Sequence, residues 1–185
     1  MDTAVRGEPS HAVLEERVTL REYATVHRAS GEGCETRVGA DTLLMSYVHV
    51  SHNAQVGRGC VLTTQVQLGG YTQVGNYAVL GSSALVHQHT RVGAYAMFGA
   101  GGAANRDILP YTMARGDPAR HYRLNRVGLQ RCGFGGERYG LLERAVRAFR
   151  RRDWALLAEL ARVSADVAVL LAFQGSSKRG LSAFV

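Results

Sequence analysis

Residues 36–104 read TRVGADTLLMSYVHVSHNAQVGRGCVLTTQVQLGGYTQVGNYAVLGSSALVHQHTRVGAYAMFGAGGAA, and an apolar side chain recurs at every sixth place. Val38, Leu44, Val50, Val56, Leu62, Leu68, Val74, Leu80, Val86, Val92 and Phe98 keep the register, and Leu14, Leu20 and Val26 extend it upstream. Of the fifteen places from 14 to 98 only Glu32 breaks it. Two residues before the apolar place stands a small or β-branched residue, such as Thr36, Ala54, Cys60 or Thr72, and glycine often follows it, as at Gly39, Gly69 and Gly81. A helix repeats at 3.6 residues and a simple strand at 2, so neither accounts for six. The unit is a short strand plus a corner: the aliphatic side chain points inward, the small one fits the crowded neighbouring place, and glycine or asparagine suits the corner backbone.

This pattern resembles the hexapeptide-repeat proteins. The resemblance implies a mainly β chain, a left-handed parallel β-helix of triangular section with three hexads, or 18 residues, per coil. Fifteen hexads make about five coils over residues 1–104. The stretch 27–37, HRASGEGCETR, holds the failed hexad and two glycines, and reads as a loop protruding from a corner. Residues 105–136, with Pro110 and the turn Gly116-Asp117-Pro118-Ala119, read as an exit loop and basic linker. Residues 137–185 read as C-terminal helices: one over Glu137 to Arg152 with Leu141, Leu142, Ala145, Val146 and Phe149 on one face, and a second from Asp153 through Leu171.

Composition narrows the function. With 46% apolar and 20% charged residues and a mean hydropathy of −0.10, the 185-residue chain has the balance of a folded domain, which disfavours disorder. The longest stretch without a charged residue, Gly59 to Thr90, is broken throughout by Gln, Thr, Asn, Ser and His, unlike a membrane-spanning helix. The N-terminus lacks a continuous apolar run, so no secretory signal is expected and the cytoplasm is the default location. Cys34, Cys60 and Cys132 lie far apart with no CxxC pair, against a disulfide framework or a zinc knot. The net charge of +7 is local: residues 106–152 carry twelve Arg against four acids, a patch suited to an acidic partner. That segment has no interleaved stacking aromatics, so nucleic acid is not expected.

An 18-residue coil turns the sequence into columns. His52, Gly70 and Gln88 form one; Asn53, Tyr71 and His89 the next; Ser51, Gly69 and His87 the one before. An outward imidazole beside an unobstructed glycine amide can act as a general base and an oxyanion donor, the alternative being surface histidines without a role or stacked at a subunit contact.

The motifs that gather on these columns are specific. Leu43-Leu44-Met45, His49-Val50-Ser51-His52-Asn53, Leu68-Gly69-Gly70, Val86-His87-Gln88, and Asn125 with Gly128-Leu129-Gln130-Arg131-Cys132-Gly133-Phe134 resemble the UDP-N-acetylglucosamine O-acyltransferase family that opens lipid A synthesis. The likeness runs from about Gly7 to Phe134 and more loosely through the helices. It implies an acyltransferase in which His52 is the general base and Gly70 the oxyanion donor. It places His49, Asn53, Tyr71, His87, Gln88, Asn125 and Arg131 at substrate-binding positions, and Ala100 where some members use glycine to limit acyl length. It further implies a homotrimer with sites between subunits, an acyl carrier protein as donor, and a small-molecule acceptor. No metal or resident cofactor is implied, only an acyl thioester carrying phosphopantetheine (or CoA).

Departures from the family pattern fall mainly on the acceptor side. Asn53 replaces an acid after the base, Tyr71 a histidine after the glycine pair, and Val127 an acid between Asn125 and Arg131. The chain also begins near the middle of a family member. Thioester acyl transfer is therefore the firmer expectation and UDP-N-acetylglucosamine the weaker one, the alternative acceptors being other hydroxyls or amines. Two further readings compete: a non-catalytic trimeric scaffold that binds carrier protein, and an interface zinc enzyme resembling the gamma-class carbonic anhydrases, for which His49, His52, His87 and His89 lack the usual spacing.

Overall fold

In a computed structural model that describes residues 5–185, the hexads wind into a three-sided prism. One face stacks His11–Leu14, Glu35–Val38, Gln55–Val56, Gln73–Val74 and Arg91–Val92; a second stacks Thr19–Leu20, Leu43–Leu44, Val61–Leu62, Val79–Leu80, Met97–Phe98 and Thr112–Arg115. The third stacks Thr25–Val26, His49–Val50, Gln67–Leu68, Leu85–Val86 and Ala103–Ala104. Every pairing among these strands is parallel, with registers such as Gln73↔Arg91 that advance 18 residues per coil. The first and last coils differ: Leu14↔Val38, Leu20↔Leu44 and Val26↔Val50 are 24 apart, because the inserted residues lie between Val26 and Glu35, and Phe98↔Ala114 are 16 apart. The left-handed parallel β-helix with a helical C-terminal extension is thus the fold of this chain.

The aliphatic residues of the hexads and the small residues before them fill the prism, from Val38 to Ala104. Cys60 lies among them, and burial pushes its thiol up to about 11, so it is an inert core residue.

The role expected of the glycines needs correcting. The left-handed corner residue stands three places after the apolar one, at Asp41, Tyr47, Asn53, Gln65, Tyr71, Tyr77, Ser83, His89 and Tyr95, mostly without glycine. Where the corner residue is aromatic, stacking along the column offsets the strain: Tyr77 on Tyr95 and Tyr95 on Tyr111, with centroids 5.2 and 5.7 Å apart. Glycine directly after the apolar residue answers to close coil-to-coil approach. A methyl on Gly69 would stand 2.6 Å from the Gln88 amide nitrogen.

The segment read as exit loop and linker is more structured than expected. Ile108 still bridges to Val92, and Thr112–Arg115 continues the second face before turning back antiparallel into Arg120–Leu124. Helix α1 (Arg126–Arg131) follows, then α2 (Gly136–Arg151), α3 (Trp154–Val163) and α4 (Ala165–Gly175). The single second helix expected from Asp153 is two, because Ser164 breaks it in an extended conformation and caps α4 through a bond from the Val167 N–H. The helices enclose their own core of Leu129, Phe134, Leu142, Phe149, Leu157, Leu160 and Leu170, which also takes in Leu109, Tyr111 and Leu124. The tail returns as Ala183–Phe184, parallel to Arg120–Leu124.

Arg91 and the buried Asp107 fasten that tail. Asp107 accepts from Arg91 Nε and from Ser177 Oγ at 2.8 Å each, and Arg91 reaches Ser176 Oγ and the Phe173 carbonyl. His121, fully buried, accepts from the Leu109 N–H at Nε2 and donates from Nδ1 to the Ser182 carbonyl. Among the described residues no helix is long and apolar enough to cross a membrane.

Candidate active site

The corner joining the third face to the first gathers the polar columns. His52 and Asn53, Gly70 and Tyr71, Gln88 and His89 occupy it in successive coils, each pair set by the 18-residue register. His49 opens the third-face strand that leads into it, and His87 directly follows the equivalent strand, Leu85–Val86, two coils on.

The His52 ring lies directly over Gly70. A methyl built on Gly70 would meet His52 Cε1 at 2.6 Å and Nε2 at 2.7 Å, so this contact exists only because residue 70 has no side chain. The amides on either side of Gly70 are committed to other coils, Gly69 N–H to the Val86 carbonyl and Tyr71 N–H to the His52 carbonyl. Ladder bonding thus spares the Gly70 N–H among the described residues.

Asn53 holds the ring from the other side. Its Oδ1 is 3.0 Å from His52 Nδ1 and accepts from Ser30 N–H (3.0 Å) and Oγ–H (2.9 Å). Its Nδ2 donates to the Ser30 carbonyl at 2.9 Å, and its backbone N–H to Thr36 Oγ1 at 2.7 Å. The backbone φ of 59° is one that asparagine tolerates. The loop between Val26 and Glu35 is therefore folded onto this corner, with Ser30 buried against Asn53.

Tyr71 stands edge-on to His52 at 5.4 Å between centroids and stacks on His89 at 4.8 Å. Its hydroxyl is 3.3 Å from Ser30 Oγ. His49 bonds Thr25 Oγ1 and Ser51 Oγ through its two nitrogens. Burial, and then the neighbouring His27, push its pKa below the usual histidine value. His87 is exposed, with Nδ1 donating to the Gln88 carbonyl.

The remaining expected site residues lie elsewhere. Ala100 is exposed on the corner between the second and third faces. Asn125 is a buried cap: Oδ1 accepts from the Gly128 N–H and Nδ2 donates to the Tyr95 carbonyl. The spacing between Asn125 and Gly128 follows from this cap, since a methyl on Gly128 would clash with the Asn125 carboxamide. Both polar ends of Asn125 thus face the protein itself. Arg131, at the end of α1, lines a cleft of about 670 Å³ with Val79, Met97 and Met113 of the second face and Arg123, Arg126, Arg147 and Arg150 of the extension. The second face is opposite the corner that carries His52, so a single chain holds the two apart. Ser30 was not foreseen; it lies in the one broken hexad, where the repeat gives no positional signal. Among the described residues no three His, Cys, Asp or Glu converge as a metal site within the chain.

Comparison with known proteins bears on this geometry. A model of the family "Udp N-acetylglucosamine O-acyltransferase; Domain 2" matches residues 107–182. An acyl-[acyl-carrier-protein]–UDP-N-acetylglucosamine O-acyltransferase of Halorhodospira halophila is 38% identical over 183 residues, 95% of this chain and 71% of that protein. The chain belongs to the UDP-N-acetylglucosamine O-acyltransferase family. It is an acyltransferase. The correspondingly named protein of Sulfurihydrogenibium sp. is 50% identical over 184 residues, 96% of this acyltransferase and 68% of the relative. The crystal structure of Francisella novicida UDP-N-acetylglucosamine acyltransferase superposes with a TM-score of 0.92 at 27% identity, covering 98% of this acyltransferase and 69% of that chain.

Proposed function

We propose that this acyltransferase moves an acyl group from an acyl carrier protein thioester to a hydroxyl of UDP-N-acetylglucosamine, with His52 as general base. The observation that carries the reading is the His52 imidazole seated on Gly70, beside an amide that the coil ladder spares. The acceptor hydroxyl gives its proton to His52 as its oxygen attacks the thioester carbonyl, and the Gly70 N–H stabilises the tetrahedral oxyanion. Collapse expels the phosphopantetheine sulfur, which takes the proton back from the imidazolium. Both substrates are those in the names of the relatives.

Arg144, Arg147, Arg150, Arg151 and Arg152 give α2 and its end a strongly basic surface, suited to an acidic carrier protein. A homotrimer supplies what one chain keeps apart, the arginine-lined cleft of one subunit meeting the His52 corner of the next. Tyr71 and Val127 bear on the acceptor, so the acceptor is what the experiment must decide. Purified protein, incubated in turn with acyl carrier proteins of several acyl lengths and with UDP-N-acetylglucosamine, other sugar nucleotides, alcohols and amines, is followed by intact-mass spectrometry. The expected result is loss of acyl mass from the carrier only with UDP-N-acetylglucosamine present, abolished by His52→Ala in an oligomer of unchanged size. A carrier that keeps its acyl group with every acceptor overturns the reading in favour of a scaffold.

A further inference from the structure

We propose that Ser30 and Asn53 are positioning residues that fix the proton of neutral His52 on Nδ1, so that Nε2 is the basic nitrogen. The inference deepens the assignment of His52 as base and rests on that reading for its catalytic meaning, though not for its structural test.

The argument is one of donors and acceptors. Asn53 Nδ2 lies 2.9 Å from the Ser30 carbonyl, which can only accept, so that end of the carboxamide is the NH2. The other end faces the Ser30 N–H at 3.0 Å, which can only donate, so it is the oxygen. Turning the amide over would set oxygen against oxygen at one end and NH2 against N–H at the other. With Oδ1 so fixed, the His52 Nδ1 3.0 Å away must carry a hydrogen, because Oδ1 has none to give. In the neutral ring the hydrogen on Nδ1 leaves Nε2 unprotonated, and the Cε1–Nε2 edge of the ring is the one that lies over Gly70. The tautomer of the base is set by the loop between Val26 and Glu35, through the Ser30 backbone.

The same geometry accounts for asparagine where a carboxylate would serve a histidine base. An aspartate at 53 could accept from the Ser30 N–H and from His52 Nδ1–H, yet its second oxygen would face the Ser30 carbonyl across the 2.9 Å that Nδ2 now bridges. The carboxamide is the group that satisfies both the loop and the ring. It forgoes the charge that would stabilise an imidazolium, so it acts by orientation.

The deciding measurement is the 15N spectrum of the His52 ring at a pH where it is neutral, on the intact protein, with the signal assigned by its loss in His52→Ala. The expected result is a protonated Nδ1 and a bare Nε2. In Asn53→Ala the ring should shift toward the Nε2–H form favoured by free neutral histidine. A wild-type ring protonated on Nε2, or a Nδ1–H form that persists in Asn53→Ala, overturns the proposal. Neither outcome depends on turnover, so a failed acyl-transfer assay bears on the function and a wrong tautomer bears on this inference. If Asn53→Ala does not fold, Asn53→Asp takes its place with the pH dependence of kcat/KM as readout. The carboxylate should move the acid limb to higher pH, and an unmoved limb in a folded Asn53→Asp enzyme counts against orientation through this contact. Ser30→Ala keeps the backbone bonds and should cost only a few-fold in kcat with KM unchanged, against about ten- to hundredfold for Asn53→Ala.

Discussion

Replacing Gly70 by alanine puts a methyl 2.6 Å from His52 Cε1 and 2.7 Å from Nε2. Carbon contacts settle near ~3.5–4.0 Å, so the ring must retreat by roughly 1 Å. The backbone need not resist, because residue 70 is not in the left-handed region and the obstructing atoms are the end of a side chain. The expected stability cost is therefore about 1 kcal/mol, the low end for overpacking. The expected catalytic cost is larger: a displacement of about 1 Å in a reacting group is worth roughly a hundredfold in rate. Gly69→Ala is the counterpart. Its methyl meets the Gln88 amide nitrogen at 2.6 Å and Cα at 3.0 Å, backbone that cannot step aside. It should cost about 3 kcal/mol, with activity falling only as the folded fraction falls. Initial rates of thiol release from the acyl carrier, paired with thermal unfolding of each variant, separate the two cases. A Gly70→Ala enzyme that turns over at the wild-type rate would refute the seating of His52 as a catalytic arrangement.

Three other expectations follow from the same contacts. Asn125→Ala removes a helix cap and a buried bond to Tyr95, and should lower stability by about 2 kcal/mol in urea unfolding while the folded fraction keeps its kcat. Arg91→Ala strands the buried Asp107 and should cost about 3–5 kcal/mol, with limited proteolysis opening the tail around residues 176–182 before the β-helix is cut. Burial holds His121 down to about 4 from the ordinary 6.5, so the unfolded chain binds the proton first. Its contribution is complete above about pH 6.5 and is lost as the pH falls through 4, about 3 kcal/mol in all, and His121→Gln should flatten unfolding free energy against pH across that window.

The prism was legible because burial imposes the period: a residue such as Leu62 or Leu80 must be apolar whatever stands beside it. The corners were not, since their left-handed conformation is carried at several places by tyrosines such as Tyr71, Tyr77 and Tyr95, side chains with no local preference for it. Their compensation is a neighbour 18 residues away, which propensity alone does not register. The edge of polar columns followed from the period alone, so His52 and Gly70 could be set together before any coordinates. Asn125 could not be sorted the same way, because a cap and a ligand contact call for the same side chain. The break at Ser164 and the strand at Ala183–Phe184 were equally silent: one rests on a single hydroxyl, the other on backbone pairing without apolar rhythm.

The inserted segment leaves and rejoins the prism at one edge, so the strands above and below it keep their partners whatever its length. Its size is therefore nearly independent of the strand ladder, provided that Ala29 and Gly33 keep their backbone bonds to His11 and Pro9 and Ser30 keeps its grip on Asn53. Such a segment is a replaceable part: transplanting a different one between Val26 and Glu35 offers a way to retune the imidazole without redesigning the solenoid that carries it.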